Sequence, residues 1–437
     1  MLSARYCYSA FRMIRFLLAA TLLAALPLRA ERQRVIVAVD VPEVSIASIT
    51  ALRNDVIASL AGATEIERWG SGPAFAAELD EREIEALRHD PRVRAITPDT
   101  GGQGSMLESL PIIGADKVHQ LGFDGYGVTV AVLDTGIDTS NPDFAGRIVA
   151  QRCYCDNMDG EGCCPDGNSF DAGSGAARDD HGHGTHVAGI VAGGGVYAPR
   201  GVAPRANIAA IKVLDAKNRF RSYTQIYRAL EWIATSRPDV QVINMSLGSS
   251  ALYSDAACNS TAIAYGMQDV IARLRMRGVL IVASAGNEGS LSGTTFPACV
   301  TDVIGVGATY DSSGSHTNFC QVAYAHVDQI ACFSNSTESV DLVAPGATIS
   351  SARRGGGSAV GGGTSMAAPH VAGAIALMQQ ASGGAMTAFQ IERILKETGT
   401  VILDTRNGRV VPRLDVAAAI AITPRAPRPP RRRAVRH

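Results

Sequence analysis

Short apolar runs alternate with amphipathic stretches through most of the chain from about residue 106 to 422. Residues 128–133 form a continuous apolar run that ends at Asp134, and 208–214, 240–246, 279–285 and 303–308 are further short runs rich in β-branched residues. Runs of this length without polar alternation read as strands buried on both faces. Between them the spacing predicts helices over 222–236, 261–277 (stopped by Gly278), 366–380 and 387–398, the last opened by Thr387 and Gln390 as a capping box. Apolar strands alternating with helices imply an α/β fold with a parallel sheet flanked by helices.

Residues 31–100 follow another pattern. A β-rich run at 34–39 is followed by Ile46, Ile49, Leu52, Val56 and Leu60 at helical spacing. Residues 64–69 and 73–79 read as a strand pair around Gly70-Ser71-Gly72. Asp80 and Glu83 then cap a second helix, and 93–97 is a last strand. The order β-α-β-β-α-β is that of a small α+β ferredoxin-like module. Gly101-Gly102-Gln103-Gly104-Ser105 comes next, a run of small residues of the kind preferred for proteolytic nicking.

The two ends carry signals of their own. Arg5, Arg12 and Arg15 precede an apolar run at 16–28, and Ala30 offers a small residue for cleavage, so residues 1–30 read as a secretion signal rather than an anchor. No later stretch reaches the ~18 apolar residues a spanning helix needs, so no membrane association is expected after its removal. The tail, 423–437, is rich in Pro and Arg and is expected to be disordered. This gives four segments: signal 1–30, module 31–105, α/β domain 106–422 and tail 423–437.

Composition narrows the function. Hydrophobic residues make up 46% of the 437 and charged residues 19%, enough apolar content for a large core. The formal net charge of −1 provides no basic field for nucleic acid. Of nine cysteines, Cys7 lies in the signal. The other eight are Cys153, Cys155, Cys163, Cys164, Cys258, Cys299, Cys320 and Cys332. An even number in an exported chain predicts disulfides, with a pairing the sequence does not reveal. The cluster 153–164 also contains the four thiolates of a possible zinc site.

Three segments carry candidate chemistry: Val130-Ala131-Val132-Leu133-Asp134-Thr135-Gly136-Ile137-Asp138, His181-Gly182-His183-Gly184-Thr185-His186-Val187-Ala188-Gly189, and Gly363-Thr364-Ser365-Met366-Ala367-Ala368-Pro369-His370-Val371-Ala372-Gly373. A serine hydroxyl is a poor nucleophile until a neighbouring base takes its proton, and a carboxylate fixes the tautomer of an imidazole base. Together, and in the order Asp, His, Ser, these segments resemble the signature blocks of subtilisin-like serine proteases. That order separates the family from chymotrypsin-like and α/β-hydrolase enzymes.

The resemblance implies catalytic roles for Asp134, His183 and Ser365. Ser365 would start a helix whose positive end favours developing negative charge, with Pro369 tolerated near the first turn. Ala283-Ser284-Ala285-Gly286-Asn287-Glu288-Gly289 is similar to the family's oxyanion segment, so Asn287 would donate its amide beside the Ser365 backbone N–H. Ser246-Leu247-Gly248 is similar to the strand that lines the specificity pocket and pairs with an extended substrate. Glu288 falls where the family can carry a pocket-floor acid, which would favour basic side chains, although apolar preferences also occur with Glu at that position. The module 31–105 is similar in pattern to the family's propeptides, which assist folding and then inhibit their own enzyme.

The expected protein is therefore a self-processing zymogen of a secreted (extracellular or periplasmic) endopeptidase. It would act as a monomer on polypeptide substrates and need no cofactor for chemistry. Its activity should rise as His183 loses a proton, with a midpoint roughly between 6 and 7. The rival readings are a catalytically inactive binding relative and a processing protease with one partner substrate.

Three features depart from the family pattern or compete with it. Asp143 matches one structural calcium ligand position, but the loop 193–199 lacks the Asn-rich side chains that complete such a site, so Ca2+ there stays open. The cysteine cluster sits in an insertion with Asp156, Asp159, Glu161, Asp166 and Asp171, expected to form a disulfide-stabilised rim near the cleft. His181, His183 and His186 also make a candidate metal cluster. The histidine that opens His-Gly-Thr-His in the family block, His183 here, is the expected base.

Overall fold

The computed structural model describes residues 32–41, 45–68, 72–98, 106–316, 320 and 322–426. The signal, the start of the Gly70-Ser71-Gly72 turn, the Gly-rich stretch 101–105 and residues 427–437 lie outside the described residues. The chain divides into two units, Met1–Gly102 and Gln103–His437.

The first unit contains β1 (Gln33–Val39), α1 (Ile46–Ala58), β2 (Thr64–Arg68), β3 (Ala74–Leu79), α2 (Glu81–Arg88) and β4 (Val93–Pro98). The strands form one antiparallel sheet in the order β2-β3-β1-β4. Alternate residues of β1, Val35 and Val37, pack with Phe75, Leu79, Ile84 and Leu87 in the core. The capping box at α2 is closed: Asp80 accepts from the Arg82 and Glu83 amides at 2.9 Å, and Glu83 accepts from the Asp80 amide at 3.0 Å.

In the second unit the strands used below are β5 (Thr129–Asp134), β6 (Ile148–Tyr154), β7 (Phe170–Ala172), β8 (Asn207–Lys212), β9 (Val240–Met245), β10 (Leu280–Ser284), β11 (Ile304–Tyr310), β12 (Leu342–Ala347), β13 (Thr400–Leu403) and β14 (Val410–Arg413). They make one ten-stranded sheet in the order β13-β14-β12-β11-β10-β9-β5-β8-β6-β7. Every pairing is parallel except the two at the edges, β13 with β14 and β6 with β7.

The main helices are α3 (His183–Ala192), α4 (Tyr223–Ser236), α5 (Ala262–Met276), α6 (Thr364–Ser382), α7 (Ala388–Thr398) and α8 (Val416–Ile422). All six residues of β5 are buried, which is why its sequence lacks polar alternation. Val130 and Val132 face one core, built with α3 and α6; Ala131 and Leu133 face the other, built with α4 and α5. The parallel sheet thus has helices on both faces.

Several elements were not legible as strands. β6 carries Gln151 and Arg152 in a partly exposed run. β12 contains Pro345 and Gly346, which read as a turn. Its Pro345 pairs with Thr309 just where the ladder shifts register, and a Cβ on Gly346 would meet Ala308 Cβ at 2.6 Å. The tail, expected to be disordered from 423, stays anchored as far as it is described. Ala426 N–H donates to Ala381 O at 3.0 Å, and the Arg425 guanidinium lies 5.7 Å from the Phe123 ring centroid. Among the described residues no helix is long and apolar enough to cross a membrane.

Eight cysteines pair as Cys153–Cys164, Cys155–Cys163, Cys258–Cys299 and Cys320–Cys332. The cluster 153–164 is thus two nested disulfides, and its thiols are not arranged around a metal.

Candidate active site

The carboxyl ends of the parallel strands bring the candidate residues to one edge of the sheet, where ligand sites of open α/β sheets collect. β5 ends in Asp134, β9 runs into Ser246, and β10 leads to Asn287. α3 starts at His183, and Ser365 is the second residue of α6. Asp134 is buried, and its Oδ1 accepts from His183 Nδ1 at 2.7 Å and from the Thr135 amide at 2.7 Å. With Nδ1–H committed to the carboxylate, Nε2 is left as the basic nitrogen.

This approach requires Gly184. A Cβ there would collide with the Gly136 carbonyl and come within 3.1 Å of Asp134 Cβ, so the helix start and the strand end touch backbone to backbone. Burial opposes a charge on His183. The charge of Asp134, its hydrogen bond and the charge of Asp179 outweigh that, and the imidazole pKa is raised above its ordinary value of 6.5.

Asp179 and Lys212 were not singled out from the sequence, and they hold this pair in place. Asp179 accepts from the Thr135 hydroxyl (2.9 Å), the His181 and Gly182 amides (3.0 and 2.8 Å) and the Thr185 amide and hydroxyl (3.0 and 2.5 Å). Burial favours its neutral form, but these bonds, led by the Thr185 hydroxyl, hold the carboxyl below the usual range. The Lys212 side chain is fully buried, and its Nζ donates to Thr135 O (2.9 Å), Leu214 O (2.8 Å) and Asp180 Oδ1 (2.7 Å). A buried ammonium without such partners would be strongly disfavoured. The only sequence signal for Asp179 is its place four residues before His183.

Ser365 Oγ donates to Ser246 O at 3.3 Å. Pro369 lies in the second turn of α6, deeper than the first-turn placement expected from the sequence. Having no N–H, it leaves the Ser365 carbonyl without its i+4 donor. The Ser246 hydroxyl fills that place at 2.7 Å, and itself accepts from Asn244 Nδ2 at 3.0 Å.

Asn287 is fixed by Thr364. Its Oδ1 accepts from the Thr364 amide (2.8 Å) and hydroxyl (3.0 Å), and the same hydroxyl accepts from the Gly286 amide at 3.1 Å. A backbone N–H can only donate, so this sets the side-chain amide with its oxygen inward and Nδ2 available as a donor. Thr364 is another residue whose part the sequence did not reveal.

A cavity of about 500 Å³ is lined by Ser246, Leu247, Gly248, Asn287, Glu288 and Ser365. A Cβ on Gly248 would meet Thr295 Oγ1 at 2.6 Å, so no side chain fits at that point of the wall. Glu288 is exposed and its Oε2 accepts from Asn335 Nδ2 at 2.7 Å.

The other histidines of these blocks point elsewhere. His186 Nε2 lies between the carbonyls of Ile349 (3.1 Å) and Ala359 (3.0 Å), so the histidines of the 181–186 block do not converge. His370 Nδ1 donates to Met366 O at 2.8 Å and its Nε2 accepts from the Ser109 hydroxyl at 3.1 Å. Burial pushes both down to about 4.

The sign of their effect on stability follows directly. Their unfolded values lie near 6.5, so they favour the fold fully above that pH, and the benefit is lost as pH falls from about 6.5 towards 4. We expect the urea midpoint of an inactivated variant to fall steeply across that window, with a loss on the order of 3 kcal/mol per histidine. A midpoint flat from pH 7 to 4.5 would rule this out.

Asp143 is the position at which the sequence left calcium open. It is buried, and its carboxylate accepts from the amides of Val196 (2.6 Å), Tyr197 (3.2 Å) and Ala198 (3.0 Å). Its own carbonyl accepts from the Gly194 amide (2.9 Å) and the Arg147 guanidinium. Calcium takes oxygen ligands. Here the loop presents N–H groups and a guanidinium cation, so the donor set does not fit Ca2+.

A comparison with known families matches residues 125–414 to the subtilase peptidase family (Peptidase_S8). The chain belongs to the subtilase family. It is 34% identical to an alkaline protease of Alkalihalobacillus alcalophilus over 365 residues, covering 80% of this chain and 82% of that protein. It is 33% identical to subtilisin E of Bacillus subtilis (strain 168) over 361 residues, covering 81% and 82%. Among solved structures, a cold adapted subtilisin-like serine proteinase superposes with a TM-score of 0.51 at 32% identity, covering 67% of this chain and 89% of that one. The subtilase is a serine endopeptidase with the mostly parallel, helix-flanked sheet of its family, and its substrates are polypeptides.

Proposed function

We propose that this subtilase is exported, released from an N-terminal inhibitory segment by its own activity, and hydrolyses peptide bonds through an acyl-enzyme carried by Asp134, His183 and Ser365. The observation that carries this reading is the 2.7 Å bond from His183 Nδ1 to buried Asp134, set at the same strand ends as Ser365.

Rotation about the Ser365 Cα–Cβ bond turns Oγ from Ser246 O towards the imidazole. His183 Nε2 takes the hydroxyl proton as Oγ attacks the scissile carbonyl carbon. The carbonyl electron pair moves to oxygen, where Asn287 Nδ2 and the Ser365 backbone N–H receive it. Ser365 lies in the first turn of α6, where a backbone N–H has no intrahelical partner. Collapse breaks the C–N bond, and His183 returns the proton to the leaving amine. Water then repeats the sequence on the ester, which frees the new carboxyl end and Ser365. No step calls for a metal.

Fluorophosphonate labelling tests the nucleophile. The active protein takes one label, at Ser365, and a protein that does not react is no serine hydrolase. Asn287→Ala should lower kcat by about 10²–10³ with little change in KM, because the donor acts on charge present only in the transition state. Thr364→Val should lower kcat in the same sense by a smaller factor, since it leaves the amide present but loosely held. Equal loss in kcat and 1/KM for Asn287→Ala would remove it from the oxyanion site.

A further inference from the structure

The loop 193–200 leaves the carboxyl end of α3, the helix that starts at His183, and closes over buried Asp143. Asp143 sits in a single turn, Pro142–Phe144, where the Asn141 side chain accepts from its amide at 2.9 Å. Both carboxylate oxygens are taken by backbone donors of the loop: Oδ1 accepts from Val196 N–H, and Oδ2 from Tyr197 and Ala198 N–H. The loop's own carbonyl at Gly193 accepts from Gly201 N–H at 2.9 Å. A calcium ion takes about six to eight oxygen ligands, and these oxygens are already committed to donors.

The positive charge of the site comes from the chain itself. Arg147 donates through Nη1 to Ala206 O at 3.0 Å and through Nη2 to Asp143 O. Its backbone is fixed on both sides: its N–H donates to Phe144 O at 3.0 Å, and its carbonyl accepts from Ile208 N–H at 2.8 Å. Burial disfavours the guanidinium charge and Asp143 favours it, and a guanidinium stays protonated in proteins. The loop packs onto this pair through its backbone, since a Cβ on Gly194 would stand 3.0 Å from Asp143 O and 3.4 Å from Arg147 Nη2. One carboxylate beside one guanidinium presents no net negative charge to a divalent ion, and the guanidinium would repel it.

We infer that Arg147 takes the part of a structural cation: with Asp143 it clamps the loop 193–200 at the end of α3, and the clamp holds without calcium. Val196 and Tyr197 are exposed at the tip of the loop while their amides point inward to Asp143. The order of the tip therefore depends on these polar contacts rather than on apolar packing. The clamp takes part in no catalytic step, so its test is separate from that of the proteolytic mechanism.

Hydrogen exchange of the 193–200 amides, read by mass spectrometry on the full chain carrying Ser365→Ala, tests the clamp. That background keeps self-digestion out of the measurement. Protection of the loop should be the same in excess CaCl2 and after EDTA. Adding Arg147→Met, which removes the charge and keeps an extended side chain, should speed exchange at 194 and 196–198 by about tenfold or more. Arg147→Lys should recover part of the protection, because the charge returns without the fork of donors. Exchange in β10 and β11 should stay unchanged in both, which shows an intact fold. Loop protection that falls in EDTA and returns with CaCl2 overturns the inference, and this arm decides even where a variant at Arg147 fails to fold. A folded Arg147→Met with unaltered exchange in the loop overturns the role of Arg147. A lower melting temperature in EDTA with the loop still protected would assign calcium to another place and support the clamp.

Discussion

Ser365→Ala is expected to be recovered with the segment before residues 100–106 still attached, to take no fluorophosphonate label, and to hydrolyse casein about 10⁶-fold more slowly than wild type. The magnitude is that of the related enzyme subtilisin. The physical basis is that Oγ supplies the bond-forming electron pair, for which alanine has no substitute. The rest of the site stays built, since Asn287 is anchored by Thr364 and His183 by Asp134. Intact mass and casein turnover of both proteins decide the matter. A mutant trimmed like the wild type would assign the cut to another protease. A trimmed mutant that also kept its activity would remove Ser365 from the mechanism.

Asp134→Asn should lower kcat by about 10⁴-fold with little loss of fold. It should also move the acid limb of kcat/KM. In the wild type the carboxylate raises His183 against the effect of burial, so the limb should have its midpoint above the ordinary imidazole value of 6.5. Without the charge, burial acts with less opposition and the midpoint should fall.

Stability reverses in the same experiment. A raised pKa gives His183 a contribution that is complete below about 6.5 and is lost as pH rises through the folded value. In the variant, once the pKa drops below 6.5, that contribution is present above 6.5 and lost on acidification. An acid limb that stays in place in Asp134→Asn would show that the carboxylate does not set the imidazole.

Much of the fold was readable because its signals are local. The uninterrupted apolar run of β5, the capping boxes at Asp80 and Thr387, and the stop at Gly278 depend on residues within a few positions of one another. β12 escaped because Pro345 and Gly346 are turn residues by local rule, and their place in the sheet is decided by the close approach of Ala308.

By itself, then, the sequence determined the alternation of strands and helices and the three blocks that bear Asp134, His183 and Ser365. Those depend on periodicity and on residue types at short spacing. Only the tertiary structure decided what surrounds them. It ties Thr364 to Asn287 across 77 positions and sets the Ser246 hydroxyl on the carbonyl left open by Pro369 across 119. It gathers five donors on Asp179, closes the nested disulfides, and turns the amides of 196–198 onto Asp143, where the sequence had left a cation open. A hydrogen bond or a cavity wall depends on a few ångströms in space, and residues a hundred positions apart meet only after the sheet has ordered the strands between them.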